Sequence, residues 1–513
     1  MVQLPPPHVL FTFLIIFLSI ALRKWKKIHN NNGTVLELPP SPKRLPFIGN
    51  LHQMRGSHPH HTLSNLAKRH GPIMSLQLGE ILAIVISSPE AAKEILKTHE
   101  LAFAQRPKFA HLDAVMYKNC SLIFSPYGEY WRQIRKICVL ELLSMKKVAS
   151  FRYIREQEAW NMIKAIGDFE GKTFNLSKLV SSLLMNLTAR AAFGERCKHR
   201  DDFVSFIEEL AQLSEWFKLC DLFPSMKFLR NTSRVKTAWE RLHGKINDIL
   251  NHIIEDHKAK HEIAISHENK APMGEDLVDV LLNLHKTKEF HFLITMDVIK
   301  NVIMEMFLAG TDTSFTVIEW AMSEILRNPR VMQKAQLEVR SHLNGKCWVE
   351  ESDVQSLMYL KAIIKETLRL HPPGALVPRE ARENCKVMGY DIPSNAKIII
   401  NTWGIGRDPN YWPSPEEFRP ERFVESSVDF RGNSFEYIPF GGGRRMCPGI
   451  NFGIASIELP LAQLLYHFDW ELGDGKRLPH ELDMEETSGL TAQRKNPLVL
   501  TAKTHIKFSN KEM

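Results

Sequence analysis

The sequence predicts a mainly α-helical protein with small β-sheets, carried behind an N-terminal apolar anchor. Three observations lead there. Most segments between the first strand pair and Asn384 place apolar residues at helical spacing. Strand patterns are few and short: Met74 to Leu78 alternates, Ile81 to Ile86 is a continuous apolar run with Gly79-Glu80 between the two, and Lys397 to Asn401 reads as a further strand. With 513 residues and 44% hydrophobic content, the chain can bury a sizeable core, as two or three ordinary domains or as one large helical domain plus an anchor.

The anchor is Val9 to Leu22, an almost unbroken apolar run followed by Arg23, Lys24, Lys26 and Lys27. A cleaved signal peptide carries its charges before the apolar run; here they come after, so the run reads as a membrane anchor in contact with lipid. The basic flank stays cytosolic, which leaves the N-terminus luminal and the bulk of the chain in the cytosol. Residues 1–27 are thus anchor and basic flank, residues 28–50 a polar linker ending in a stiff segment with prolines at 39, 40, 42 and 46, and residues 51–513 the main folded domain. His58-Pro59-His60-His61 reads as a solvated loop, because the proline argues against helical ligand spacing. Phe103 to Phe124 lacks periodicity and reads as a loop. Tyr127 to Leu143 reads as a helix with Trp131 and Arg135 one turn apart on one face.

His261 to Glu275 is polar and reads as a linker, and the pair His257 and His261, in an exposed Lys/Glu-rich stretch, is not read as a metal site. Thr295 to Arg327 is one very long helical pattern whose interior, Ala309-Gly310-Thr311-Asp312-Thr313-Ser314, is small or polar where a structural helix would place leucine. One bland reading has Thr311 and Thr313 bonding backward to carbonyls. Glu305 lies one turn before Ala309, where it either faces a pocket or is solvated or ion-paired. Glu366 and Arg369 stand at i, i+3 on a helix that His371-Pro372-Pro373 ends.

A formal charge of +8 is modest for this length and is interleaved with acids, so no nucleic acid is expected as a partner, while the charge is compatible with an acidic protein face. Seven cysteines (120, 138, 197, 220, 347, 385, 447) without a CxxC pair fit a reducing compartment. The sequons at Asn175, Asn186 and Asn231 accordingly read as unoccupied. No GxGxxG opens a helix after a strand, so the chain carries no nucleotide fingerprint of its own.

Pro439 to Gly449, PFGGGRRMCPG, is the stretch around which the rest is organised. Cys447 follows a glycine run and precedes Pro448-Gly449, a setting that packing alone does not require. Such a loop can aim backbone N–H groups at one sulfur and stabilise it as a thiolate that binds iron, while Arg444 and Arg445 supply cationic forks for carboxylates. Phe440, Gly443, Arg445, Cys447 and Gly449 match at full spacing the cysteine-ligand loop of the cytochrome P450 family, and the chain resembles that family from the proline segment to its C-terminus, nearest to the plant enzymes of specialised metabolism.

The resemblance implies one mainly helical domain binding haem b, with the Cys447 thiolate as axial ligand to iron and Trp131, Arg135, Arg379, Phe440, Arg445 and Gly449 around the cofactor. It implies an oxidoreductase that uses O2 and NADPH-derived electrons, with Thr313 and Asp312 delivering protons, and a buried structural network of Glu366, Arg369 and Arg422. The implied electron donor is the membrane-bound, NADPH-dependent cytochrome P450 reductase, which Arg132, Lys136 and Arg444 could dock, and the implied place is the endoplasmic reticulum membrane, single-pass. Phe124, Phe307, Ala309, Ala375, Leu376, Val377 and Leu490 are the expected substrate pocket, mostly apolar, suited to a small hydrophobic substrate. A terpenoid to be hydroxylated or epoxidised is the first expectation and an indole-type alkaloid the second. A reductase-independent haem-thiolate isomerase or dehydratase and a non-catalytic haem-binding protein are the readings from other classes.

Overall fold

Isoleucine- and valine-rich runs form strands because branched side chains pack well on a pleated surface. The computed structural model describes residues 36–506 apart from 55, 57, 110–111, 113–114, 118–119, 195–199, 214–217, 227–232, 267–275, 288–293, 474–477 and 488. Its strands are β1 (Ile73–Leu78), β2 (Ile81–Ile86), β3 (Thr173–Asn175), β4 (Leu376–Glu380), β5 (Cys385–Val387), β6 (Tyr390–Ile392), β7 (Lys397–Asn401), β8 (Phe468–Leu472) and β9 (Val499–Thr504). They form three small sheets, β1-β2-β7-β4, β3-β9-β8 and β5-β6. The hairpin is antiparallel with Leu78 opposite Ile81, β2 runs parallel to β7, and β4 returns antiparallel with Val377 opposite Ile400.

Helices make up most of the rest: α1 (Pro59–His70), α2 (Glu129–Ile137), α3 (Arg152–Gly167), α4 (Leu176–Phe193), α5 (Arg200–Leu213), α6 (Ser233–Ser266), α7 (Leu277–Thr287), α8 (Met296–Arg327), α9 (Pro329–Leu343), α10 (Met358–Leu370) and α11 (Ile450–His467), with shorter helices between them. Helix α8 is the long pattern expected, started by Thr295, whose hydroxyl accepts the Val298 N–H at 3.4 Å. Its polar interior is tolerated because both ends are buried. Val298, Val302 and Ile303 enter one apolar core with α2, α4, α6 and α7; Ile318, Met322 and Ile325 enter a second with α3, α9, α10 and α11.

Several expectations are corrected. Pro59 opens α1 as its first residue, where a missing N–H costs nothing, so His58-His61 is a helix start rather than a solvated loop, and His60 is buried beside Glu486 with its Nε2 2.8 Å from the carboxylate. Helix α6 runs on through Ser266, past the expected break at His261, and His257 is buried against Asp276 at 2.9 Å instead of exposed. The stretch 103–124 is largely irregular, as expected, with turns, an isolated bridge between Gln105 and Glu380, and helical geometry at Leu112 and Val115. The proline segment is held to β1 by Ser75, whose N–H and hydroxyl donate to the Pro40 and Pro39 carbonyls. Gly49 must be glycine there: it has φ +59°, and a Cβ would lie 2.1 Å from the Gln77 carbonyl oxygen. Asn175 caps α4 and Asn186 lies within it, while Asn231 and the Val9–Leu22 run lie outside the described residues. Among the described residues, no helix is long and apolar enough to cross a membrane.

Candidate active site

The cysteine loop is folded by its own backbone. Gly441 N–H donates to the Ile438 carbonyl and Cys447 N–H to the Phe440 carbonyl, both at 3.0 Å. Gly443 sits at φ +63° with the position of a Cβ 2.1 Å from the Leu96 carbonyl oxygen, so the loop lies against its neighbour more closely than any side chain allows. Cys447 is exposed and lines a cavity, yet is enclosed by surrounding atoms of the loop and of α11. Burial therefore still raises its thiol pKa, opposed by the Gly449 N–H and by the Arg135 charge. Gly449 also begins α11, whose positive end faces the sulfur.

Arg106, Arg135, Arg379 and Arg445 converge on that cavity. Arg445 donates to the Ala104 carbonyl at 2.9 Å and the Ser125 carbonyl at 2.6 Å, lies 4.1 Å from the Trp131 ring centre, and leaves Nη1 buried without a partner. Arg135 reaches the Met446 carbonyl at 2.6 Å. Arg106 bonds the Ile123 and Pro378 carbonyls. Arg379 is buried with a single bond, to the adjacent Pro378 carbonyl at 3.0 Å, and its Nη2 has none. Burial and then mutual repulsion lower them: Arg106 to about 10, Arg445 to about 9, Arg379 well below the ordinary arginine range. Four guanidiniums with no carboxylate among their described partners form a cradle for a dianion. A sulfur donor, a cationic rim and apolar walls fit an iron porphyrin with two carboxylates.

Arg106 was not singled out from sequence. It lies in the aperiodic stretch 103–124, and its only signal is a lone cation in the apolar run LAFAQRP. Two expected members of the cradle are placed differently. Trp131 does not offer its N–H, which donates to the Leu122 carbonyl at 2.8 Å; it offers a ring face between Arg135 and Arg445. Arg444 is on the outer surface, 2.9 Å from Glu100.

The cavity measures about 340 Å³. Helix α8 presents Glu305, Met306, Ala309, Gly310, Thr313, Ser314 and Val317 to it, a stripe spaced by threes and fours as one helix face requires. Gly310 is small for packing: a Cβ would sit 3.3 Å from the Phe452 ring. Thr313 lines the cavity and also donates backward to the Ala309 carbonyl at 2.6 Å, whereas the buried Thr311 hydroxyl, expected to bond backward too, has no partner among the described residues. Glu305 is neither solvated nor ion-paired. It is buried in the cavity wall, accepting the Ser121 hydroxyl and the Leu122 N–H at 2.7 Å; burial raises its pKa to about 7 against these bonds.

Of the expected pocket, Ala309 and Val377 line the cavity and the others do not. Phe307 is rotated away on α8 and packs between Phe193 and Phe203. Strand alternation turns Val377 and Arg379 inward, so Leu376 points to the opposite core, and Ala375, Leu376 and Leu490 border a separate small crevice beside His60. Phe124 stacks edge-on with Phe109, leaving Leu122 and Ile123 as lining residues. Asp312 also leaves the cavity: its carboxylate accepts the Thr491 hydroxyl at 2.8 Å and the Gln493 amide.

The expected network is present. Glu366 is fully buried and accepts Arg369 at 2.8 and 2.9 Å, Arg422 at 2.9 Å and the Arg419 N–H at 2.8 Å, while Arg369 also donates to the carbonyls of Gly406, Pro415 and Glu417. Helix α10 is thereby tied to the segment that leads into the cysteine loop.

Comparison with known proteins agrees with this geometry. The family model described as Cytochrome P450 matches residues 39–500. The chain is 50% identical over 509 residues to melianol synthase CYP71BQ4 of Citrus sinensis, covering 99% of this chain and 98% of that one. It is 48% identical to tabersonine 16-hydroxylase 1 of Catharanthus roseus, with 96% and 97% covered, and 47% identical to tabersonine 6,7-epoxidase isoform 1 of the same plant, with 98% and 99% covered. In fold it is similar to a zebra fish cytochrome P450 determined with abiraterone, with a TM-score of 0.73, 21% identity, and 88% and 100% covered. Loop, cradle and family match converge: the chain belongs to the cytochrome P450 family, the haem-thiolate monooxygenases.

Proposed function

We propose that this P450 hydroxylates or epoxidises a hydrophobic plant terpenoid, with Cys447 as the axial ligand of haem b. One observation carries the reading: the Cys447 thiol, the unpaired guanidinium atoms of Arg379 and Arg445, and the Thr313 hydroxyl border one largely apolar cavity of about 340 Å³. When bound, haem supplies the activation of O2 with two NADPH-derived electrons and two protons, leaving one oxygen atom in the product and the other in water.

The chain supplies the rest. The Gly449 N–H and the Arg135 charge stabilise the Cys447 thiolate against the burial that raises its thiol's pKa. Arg106, Arg135, Arg379 and Arg445 would hold the haem carboxylates, with Phe440, Gly449 and the Trp131 ring lining the same cavity. The Glu366–Arg369–Arg422 network keeps the cysteine loop in register with α10. Thr313 gives its hydroxyl hydrogen to Ala309, which leaves the oxygen able to accept from a group in the cavity; release of that bond makes it a donor, with Asp312 the adjacent acid. Leu122, Met306, Ala309, Val317 and Val377 give walls suited to an apolar substrate and exclude water.

Electrons come from a reductase, since the sequence has no nucleotide fingerprint. Arg132 and Lys136 are exposed one turn apart on α2, beside the loop that Arg135 grips; an acidic flavoprotein face would meet Lys136 and compete with Glu129 and Glu100 for Arg132 and Arg444. The Val9–Leu22 run and its basic flank support the reading of a single-pass protein of the endoplasmic reticulum membrane, beside that reductase.

The melianol synthase relatives favour a terpenoid; the tabersonine oxidases, at similar identity, make an indole alkaloid the second reading. Microsomes containing the chain and the reductase, incubated with a panel of both classes, test this. Conversion of a terpenoid that needs both NADPH and reductase is expected. Conversion of alkaloids alone reassigns the substrate, and conversion without reductase overturns the monooxygenase reading in favour of an isomerase or dehydratase.

A further inference from the structure

Asp312 is adjacent to Thr313 in the chain, but one residue along a helix is a turn of about 100°, and its carboxylate lies outside the cavity that Thr313 faces. What receives it is a narrow return of the chain near the C-terminus. Glu486 and Arg494 bridge across this return, and the Thr487 N–H donates to the Gln493 carbonyl at 2.8 Å. The return is pinned twice: Ala492 N–H donates to the Pro373 carbonyl, in the cavity wall, at 3.0 Å, and its carbonyl accepts the Trp320 indole N–H, two turns further along α8 from Asp312, at 2.8 Å. In that frame the Thr491 hydroxyl donates to one oxygen of Asp312 and the Gln493 amide to the other. The cation of the return, Arg494, is turned to the Trp320 ring and the Met484 sulfur instead.

We propose that Thr491 and Gln493 are positioning residues for proton delivery: they clasp the Asp312 carboxylate from both sides and fix where that acid stands relative to Thr313. The inference rests on the reading that Asp312 serves the cavity as an acid. A carboxylate accepts only, so two aimed donors hold the ionised form and select one rotamer. In one cycle the carboxylate takes a proton from water, passes it to the Thr313 oxygen, whose own hydrogen moves on into the cavity, and returns ionised to the clasp. Because the return also holds Pro373, the clasp and the cavity wall move as one piece. Burial raises the Asp312 pKa and the two donors oppose it, so losing a donor raises it further.

The test compares haem-loaded, full-length wild type with Thr491→Val, Thr491→Ser, Gln493→Leu and Asp312→Asn. The readouts are peroxide and product per NADPH as a function of pH. Thr491→Val and Gln493→Leu are expected to raise the peroxide-to-product ratio by about threefold and to move its pH profile upward. Thr491→Ser should restore the wild-type profile, and Thr491→Val should add nothing in an Asp312→Asn background. A second readout needs no turnover: hydrogen exchange of the amides of 489–494 should quicken in Asp312→Ala. An uncoupled Asp312→Asn with unchanged Thr491→Val and Gln493→Leu, a Thr491→Ser that fails to rescue, or unchanged exchange would each overturn the clasp. A normal Asp312→Asn would instead overturn the acid role on which the clasp rests.

Discussion

Arg379 gives the sharpest test of the cradle, because its loss should act in opposite directions on the haem-free and the haem-loaded protein. It is buried, makes one hydrogen bond to its neighbour Pro378, and leaves Nη2 unpartnered beside Arg106, Arg135 and Arg445. Arg445 sets the scale: holding at about 9 a guanidinium that ordinarily titrates at 12.5 corresponds to a cost on the order of 5 kcal/mol for the charged form. A structural arginine would instead cost ~3–5 kcal/mol on removal, since its partner would be left buried and uncompensated. Arg379→Met keeps the stem and removes the charge. The haem-free protein should therefore unfold at higher denaturant than wild type. Each charge-assisted bond to a carboxylate contributes ~1.5–3 kcal/mol, so haem should be lost ten- to a hundredfold faster to an apomyoglobin acceptor. Unchanged haem loss, or a haem-free fold weakened by several kcal/mol, would refute the cradle.

Four further outcomes can be checked. Arg369→Met should cost ~3–5 kcal/mol in denaturant unfolding, because Glu366 and three carbonyls lose partners in a fully buried site; a loss below 1 kcal/mol would contradict the network. Glu305 titrates at about 7 in the fold against 4.5 unfolded, so the folded state binds the extra proton and stability falls by about 3 kcal/mol as pH rises from 4.5 through 7. Glu305→Gln should lack that slope, and parallel wild-type and variant pH curves would exclude it. Thr313→Ala should leave haem content and substrate binding nearly unchanged while product per NADPH falls severalfold and peroxide rises; equal ratios, normalised to haem, would remove Thr313 from proton delivery. Deleting residues 1–27 should release much of the protein from microsomes with haem retained.

Local patterns were legible in the sequence because their geometry is local. The cysteine loop needs its glycines at fixed positions, as the contact of Gly443 with Leu96 explains, and the hairpin, α8, α11 and the Glu366–Arg369 pair follow from period and spacing. Positions that depend on phase were misplaced by one residue's rotation. Phe307 flanks the lining face of α8, and Leu376 is the outward partner of Val377, both of which strict helical and strand periods set off the cavity wall. Arg106 was not legible, since four distant segments converge to make its site. The helix start at Pro59 is hidden because a proline breaks a helix interior yet is favoured as its first residue.

The account rests on Cys447 as the ligand, and one spectrum tests it directly. In the reduced, CO-bound protein the wild type should show the thiolate-type absorption. Cys447→Ser should abolish it, because an alcohol is a far poorer donor to iron, while the arginine cradle and the fold remain. Survival of that absorption in Cys447→Ser would contradict the assignment.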